Sequence, residues 1–253
     1  MIHLLITVLV GFGDHSPATV SQQGFGESSL PLIFSHSGYV TEADRAALRA
    51  DGNYISITPE NEMSEGHGQV SSHRVHDHAS LGTDTNWNIS GDILHNARLW
   101  LQHVRATNYQ KVLDQGRTPL QNPMSVEDAF LLAPRQGGQA LHRDDIGVLK
   151  VGTQADLVCF DGSSPNMVGW TNAIAAVVLH SNVGDIRHVL VGGEFRKRNG
   201  SLIPPSQSWD EIRTQFEEVA RRIQRENASP PPLLEKFWGG GEYGDVEIAS
   251  VRI

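Results

Sequence analysis

The chain has a single cysteine, Cys159, in 253 residues. That excludes a disulfide framework and a cysteine-based zinc site, and it fits a reducing, intracellular compartment. Positive charge is also scarce, with 20 Lys and Arg against 29 Asp and Glu and a formal net charge of -9. An acidic chain meets nucleic acid or an anionic membrane only through a local basic patch. The one candidate, Arg196-Lys197-Arg198, sits at a strand end and reads as a solvated edge. Long hydrophobic runs are missing as well. Ile2 to Phe12 is apolar apart from His3, Thr7 and Gly11, but no Lys or Arg precedes it and it is too short to span a bilayer. It reads as a buried strand rather than a leader. The expected setting is cytoplasmic, with no nucleic-acid and no membrane partner.

What remains is ordinary globular composition, 39% hydrophobic and 19% charged. Leu4 to Val10 has the continuous apolar character of a strand buried on both faces. Gly11 to Ser29 reads as a loop with one poor helical turn. Leu32 to Ser35 is a second strand, ending at His36. Thr41 with Asp44 forms a capping box, opening a helix that stops at Asp51-Gly52. Tyr54 to Ile57 is a third strand, and a histidine-rich loop runs from Glu60 to Asp77. A fourth strand leads from His78 to Asp84. Ser90 or Gly91 opens a long helix with Ile93, Ala97, Leu101 and Val104 on one stripe. Ser125 with Asp128 caps the next helix, and Pro134 suits the first turn of another. Strands alternating with helices argue for parallel βα units.

After Asp145 the rhythm changes. Asp156–Phe160, Ala175–Leu179 and Ile186–Val191 read as short strands without helices between them, and Gly192-Gly193 turns the chain into Glu194–Arg198. This predicts a separate, mostly antiparallel unit. Ser208 caps a last helix with Ile212, Phe216, Val219 and Ile223 at helical spacing, ended by Ser229-Pro230-Pro231-Pro232.

Two strands end in polar residues of complementary chemistry, His36 and Asp84. A barrel enzyme presents catalytic and metal-binding groups in this way, at the C-terminal ends of parallel strands. The plainer readings are a satisfied core histidine and a helix-initiating Asp. Glu62 reads as a loop carboxylate or a substrate contact, and Trp87 as a pocket wall or a packing residue. Asp92 and Arg98 read as a solvated helix face. His76-Asp77-His78, with His67 and His73 near, reads as a surface cluster, because His78 begins the strand whose far end carries Asp84.

Four stretches together resemble the C-terminal part of a metal-dependent amidohydrolase of the cytosine deaminase and triazine chlorohydrolase branch. They are Phe34-Ser35-His36, Ile57-Thr58-Pro59-Glu60-Asn61-Glu62 running to Gly66-His67-Gly68, Leu81-Gly82-Thr83-Asp84, and Asp145-Ile146-Gly147 through Lys150-Val151-Gly152 to Ala155-Asp156-Leu157-Val158. The resemblance implies an α/β chain: the later strands of a (β/α)8 TIM-like barrel over residues 1–145, part of a small composite β-sandwich over 146–203, and a C-terminal helix and tail over 204–253. It implies hydrolysis of a non-peptide carbon–nitrogen bond in an aminated heterocycle or amidine, as in deaminases, with one divalent ion, zinc or iron. Asp84 then takes the eighth-strand role of metal ligand and proton acceptor. His36 takes the sixth-strand role, orienting the water and polarising the group under attack, while Glu62 and Trp87 contact the substrate. The ion's contribution is to bring a water's pKa toward neutrality.

The departures are equally specific. The H-x-H of the first strand has no counterpart, and the fifth-strand histidine falls nearest Val8, with His3 and His15 off that position. The glutamate that shuttles protons after it is also missing, and Glu62 stands where the branch often has Asn. One ligand and one neighbouring histidine do not bind zinc tightly. The expectation is therefore a catalytically incomplete chain whose remaining ligands lie upstream or in another polypeptide. The alternative is an inactive scaffold or partner protein of the same descent. Either would associate through an exposed barrel edge.

Overall fold

The computed structural model describes residues 16–25, 32–36, 39–66, 72–85, 87–204, 206–236 and 242–247. The expected strand at Leu4–Val10 lies outside the described residues, as do His3, Val8, His15 and His67. The chain divides into two compact units, residues 1–205 and 206–253.

In the first unit, α1 (Pro17–Gln22) is a short helix capped by Ser16. It is followed by β1 (Ile33–Ser35), α2 (Glu42–Asp51) and β2 (Tyr54–Ile57). The Thr41–Asp44 capping box forms at the start of α2, and Gly52 closes it in the left-handed conformation. Next come α3 (Pro59–Ser64) and, after two 3-10 turns at Ser72–Arg74 and His76–His78, β3 (Ala79–Leu81). The expected loop from Glu60 to Asp77 is thus largely helical where it is described, because Pro59 is preset for a first helical turn. The fourth strand is three residues long rather than six.

These strands form a parallel sheet in the order β1-β2-β3, with Ser35 beside Ser56 and Ile57 beside Leu81. Parallel neighbours need a crossover, and the intervening helices supply it. Then α4 (Ile93–Leu113) runs 21 residues. Its cap is Asp92, whose carboxylate accepts the Leu94 N–H at 2.9 Å, so the expected start at Ser90 or Gly91 and the solvated role for Asp92 both give way. Helix α4 buries Ala97, Trp100, Leu101 and Val104, the last three in the hydrophobic core that also holds Phe34, Ile55 and Ile57, and the Trp100 indole N–H donates to the buried Ser72 hydroxyl at 3.1 Å. Helices α5 (Val126–Leu131) and α6 (Pro134–Ala140) follow, each started as expected by the Ser125–Asp128 box and by Pro134.

Gly147 has φ 71°, and a Cβ there would collide with the Pro134 carbonyl oxygen. The Asp145-Ile146-Gly147 stretch therefore packs against the start of α6 through a residue that only glycine can be. Beyond it lie β4 (Leu157–Phe160), α7 (Ala173–Ala175), β5 (Ile186–Val191), β6 (Glu194–Arg198) and β7 (Ser201–Leu202), the strands making an antiparallel sheet in the order β4-β5-β6-β7. The expected strand at Ala175–Leu179 is instead α7 continued by a π-helical turn, Ala176–His180. A short apolar run suits a buried helix as well as a strand. Here Asn172 caps it, accepting the Ala175 N–H at 2.9 Å. At the other end the Arg98 guanidinium donates to the carbonyls of Val178 and Ser181 at 2.8 and 2.5 Å. Arg98 is thereby a helix-end anchor rather than a solvated charge. The antiparallel sheet belongs to the same compact unit as the parallel one.

In the second unit, α8 (Trp209–Glu226) is started by Ser208 and Glu211 in a reciprocal box. Its apolar stripe is visible, with Phe216, Val219 and Ile223 exposed. Glu217 pairs with Arg213 and Arg221 one turn away on either side. Among the described residues no helix is long and apolar enough to cross a membrane.

Asp44 ties α1 to α2. Its carboxylate accepts the Ala18 N–H at 3.0 Å and the Thr41 N–H and hydroxyl at 2.9 and 2.6 Å. Burial pushes its pKa up, but these donors outweigh burial and hold it below the ordinary 3.8. A folded value below the unfolded one gives stability that is present above the unfolded pKa and lost as pH falls through the folded one. Asp44→Asn should cost about 1–3 kcal/mol at neutral pH. In urea titrations the gap to the parent chain should narrow at acid pH, and an unchanged gap would refute the assignment.

Candidate functional site

Because β1, β2 and β3 are parallel and in register, their C-terminal ends gather at one end of the sheet. His36 follows β1, Thr58 follows β2, and Gly82 to Asp84 follow β3. The backbone stitches these ends together: His36 N–H donates to Ser56 O at 2.9 Å and Gly82 N–H to Ile57 O at 2.8 Å. A Cβ on Gly82 would stand 2.7 Å from Ser56 Oγ and 3.1 Å from Thr58 Cγ2. The glycine lets β3's continuation approach β2 closely.

At that end His36 Nε2 lies 3.9 Å from Asp84 Oδ2. Both residues adopt left-handed backbone, with φ 67° and 55°. A side chain with a Cβ pays roughly 1–2 kcal/mol in that region, and such residues gather at functional sites. The two strand-end residues singled out from the sequence are thus brought together and share one uncommon conformation. His36 is nearly buried at 7%, whereas the Asp84 side chain is 37% exposed.

Behind His36 stands Glu62, fully buried on α3. Its Oε1 lies 3.2 Å from His36 Nδ1 and accepts the Thr58 N–H at 3.0 Å. The Thr58 hydroxyl lies 3.1 Å from His36 Nδ1 and donates to Oε1 at 3.4 Å. Among the described residues, Glu62 Oε2 and Asn61 Oδ1 are buried without a hydrogen-bond partner. The sequence assigns Glu62 to substrate contact, but its carboxyl is closed to solvent. Trp87 stands 82% exposed, at the surface rather than in an enclosed wall.

Sequence reasoning passed over Thr58 and Asn61. Asn61 Nδ2 donates to Thr85 Oγ1 at 2.8 Å, holding the loop after Asp84. Glu60 accepts the Ser90 N–H at 3.2 Å from the same loop. The signal in the sequence was Thr58-Pro59 followed by Glu62. It escaped notice because a capping box spaces its partners by three residues, and Glu62 returns to Thr58 from four away.

The histidine-rich turn lies elsewhere. His78 Nδ1 is 3.1 Å from the Asn53 carbonyl, and its ring is 5.1 Å from the Tyr54 ring. Asn53 and His78 immediately precede β2 and β3, so this turn sits at the N-terminal end of the sheet, opposite Asp84. His76 Nδ1 bonds the His73 carbonyl at 2.8 Å, and Asp77 takes two bonds from Arg49 at 2.7 and 2.9 Å. Burial, followed by the nearby cations Lys111 and Arg74, pushes the His73 pKa down. The turn is fastened into the fold.

A divalent ion needs more donors than the described residues assemble. Among them no group of three or more His, Cys, Asp or Glu side chains could hold one. His36 and Asp84 offer two donor groups, and a tetrahedral zinc site takes four ligands. The described residues therefore do not by themselves fit the family's metal.

The left-handed backbone at Asp84 has a direct consequence. Asp84→Gly should be more stable than Asp84→Ala by about 1 kcal/mol, the reverse of the usual order, since glycine is free of the Cβ penalty. Thermal unfolding of the two variants measures this, and an alanine variant equal to or above glycine would contradict the conformation.

The amidohydrolase family profile matches residues 13–196. The chain is 36% identical over 72 residues to a 5'-deoxyadenosine deaminase of Methanopyrus kandleri, a stretch covering 28% of this chain and 17% of that protein. It is 25% identical over 198 residues to a 5-methylthioadenosine/S-adenosylhomocysteine deaminase of Caldicellulosiruptor saccharolyticus, covering 75% of this chain and 43% of the relative. The chain thus spans less than half the length of these curated relatives. Among solved structures it superposes on an adenosine deaminase from Xanthomonas campestris with bound zinc, at a TM-score of 0.70 and 19% identity, over 88% of this chain and 51% of that one. It also superposes on the zinc complex of atrazine chlorohydrolase from Arthrobacter aurescens, at a TM-score of 0.68 and 17% identity, over 79% and 43% of the two chains. Likeness at those identities speaks for the fold, a mixed α/β arrangement. With the profile covering most of the sequence, the chain belongs to the amidohydrolase family.

Proposed function

We propose that this chain carries one corner of the active site of a hydrolase acting on non-peptide carbon–nitrogen bonds, with an aminated heterocycle or amidine as substrate. The meeting of His36 Nε2 and Asp84 Oδ2 at the C-terminal end of a parallel sheet carries this reading. In it β1, β2 and β3 are the sixth, seventh and eighth strands of a (β/α)8 barrel. Residues 146–203 are part of a β-sandwich, and 204–253 form a C-terminal appendage. The purine nucleosides named for the curated relatives are the first substrates to consider.

A divalent ion, when bound in this family, supplies an acidified water. This chain's own contribution is narrower. Asp84, open to solvent, would be one of the residues to hold such an ion, and its Oδ2 would accept a proton. His36 stands beside it to orient the water and polarise the group under attack, and the exposed Trp87, three residues after Asp84, would contact the substrate. Turnover needs histidine donors beyond those gathered here. A second reading, a non-catalytic scaffold or partner of the same descent that can associate through open strand edges, draws on the shortage of metal donors among the described residues.

The purified chain, given zinc and 5'-deoxyadenosine or an aminotriazine, should hold well under one equivalent of metal and release no ammonia. Co-expression with a relative's segment carrying the first five barrel strands should restore ammonia release, and Asp84→Ala should abolish it. Turnover by the chain alone would overturn the incomplete-site reading. No turnover after complementation by a soluble, co-purifying segment would favour the scaffold.

A further inference from the structure

We propose that Glu62 is a positioning residue that locks the His36 imidazole with its proton on Nδ1, so that Nε2 is presented toward Asp84 as an acceptor. The role deepens the hydrolase reading above, since it matters to catalysis only if His36 and Asp84 form the site's corner.

The argument is one of donors and acceptors. A backbone N–H can only donate, so Glu62 Oε1, which receives the Thr58 N–H at 3.0 Å, is an acceptor. The Thr58 hydroxyl has one proton, and the same oxygen, 3.4 Å away, is a carboxylate acceptor for it. Its lone pairs are what it offers to His36 Nδ1 at 3.1 Å. Nδ1 therefore faces two acceptors, Oε1 at 3.2 Å and Thr58 Oγ1, and must carry the hydrogen between them. His36, Thr58 and Glu62 are 7%, 3% and 0% exposed, so bulk water does not compete for this web.

The other ring nitrogen follows from the first. In a neutral imidazole with Nδ1 protonated, Nε2 is a lone pair. It sits 3.9 Å from Asp84 Oδ2, beyond direct hydrogen-bond reach. Two acceptors across that gap favour a donor near them, such as a water hydrogen or a substrate N–H. The opposite tautomer would point a second proton into the same place and repel the donor.

A purely structural Glu62 fits the observations less well. Its Oε2 is buried with no hydrogen-bond partner, a cost that an apolar side chain of similar size would avoid. What glutamate supplies and methionine cannot is Oε1 against Nδ1. The ring is also held from the backbone side, where His36 N–H bonds Ser56 O at 2.9 Å.

Imidazole nitrogen NMR on the full chain tests this without any turnover. With histidine labelled in ¹⁵N and the His36 signals assigned by their loss in His36→Gln, spectra at about pH 9 report which ring nitrogen carries hydrogen. The expected result is a pyrrole-type Nδ1 and a pyridine-type Nε2. Glu62→Met, close in volume, and Glu62→Gln should move His36 toward a mixture of tautomers, whereas Thr58→Ser, which keeps the hydroxyl, should retain the parent pattern. A pyridine-type Nδ1 in the parent chain would overturn the proposal even if neither Glu62 variant folds. So would Glu62 variants whose His36 shifts match the parent. Failure of the hydrolase reading looks different: the Nδ1–H signature persists while complementation yields no ammonia.

Discussion

The parallel pairing of β2 with β1 on one side and β3 on the other is the constraint on which the site depends. Three strands of three or four residues are too short to be stable alone. They are held in a core where Phe34, Ile55 and Ile57 are buried together with Trp100, Leu101 and Val104 of α4. Once the pairing is in register, the residues after each strand have no choice but to meet. His36, Thr58 and Asp84 are neighbours for that reason, and α3, which starts immediately after β2, delivers Glu62 behind them.

The site is asymmetric in its exposure, and that asymmetry bears on its chemistry. Asp84 is open to solvent while His36 and its two supports are shut away from it. A buried web polarises its own hydrogen bonds and resists rearrangement, which suits a group that must keep one orientation. An exposed carboxylate can exchange protons and ligands, which suits a group that must act on what arrives. The left-handed backbone at both His36 and Asp84 adds strain that the hydrogen-bonded strand ends sustain.

Much of the local structure could be read from residue order. The capping boxes at Thr41–Asp44 and Ser125–Asp128 and the Ser208 cap are interactions between residues three apart, and each is found where the sequence places it. The strand at Tyr54–Ile57 and the turn at Gly192-Gly193 are equally local. The run at Ala175–Leu179 was not legible, because its helical state rests on Arg98, some 80 residues away, binding the Val178 carbonyl. The wall of support behind His36 was hidden for a similar reason: Glu62 returns to Thr58 at an uncommon spacing and reaches His36 across 26 positions.

The residue order by itself pointed to the family, to the strand ends that carry His36 and Asp84, and to the departures from the family's histidine motifs. Those follow from motif spacing and from which side chains are present at all. The tertiary structure alone decided that His36 and Asp84 approach within 3.9 Å and that Glu62 is a buried support. Each of these is a distance between residues remote in sequence. Strand register and helix packing set such distances, and no stretch of neighbouring residues encodes them.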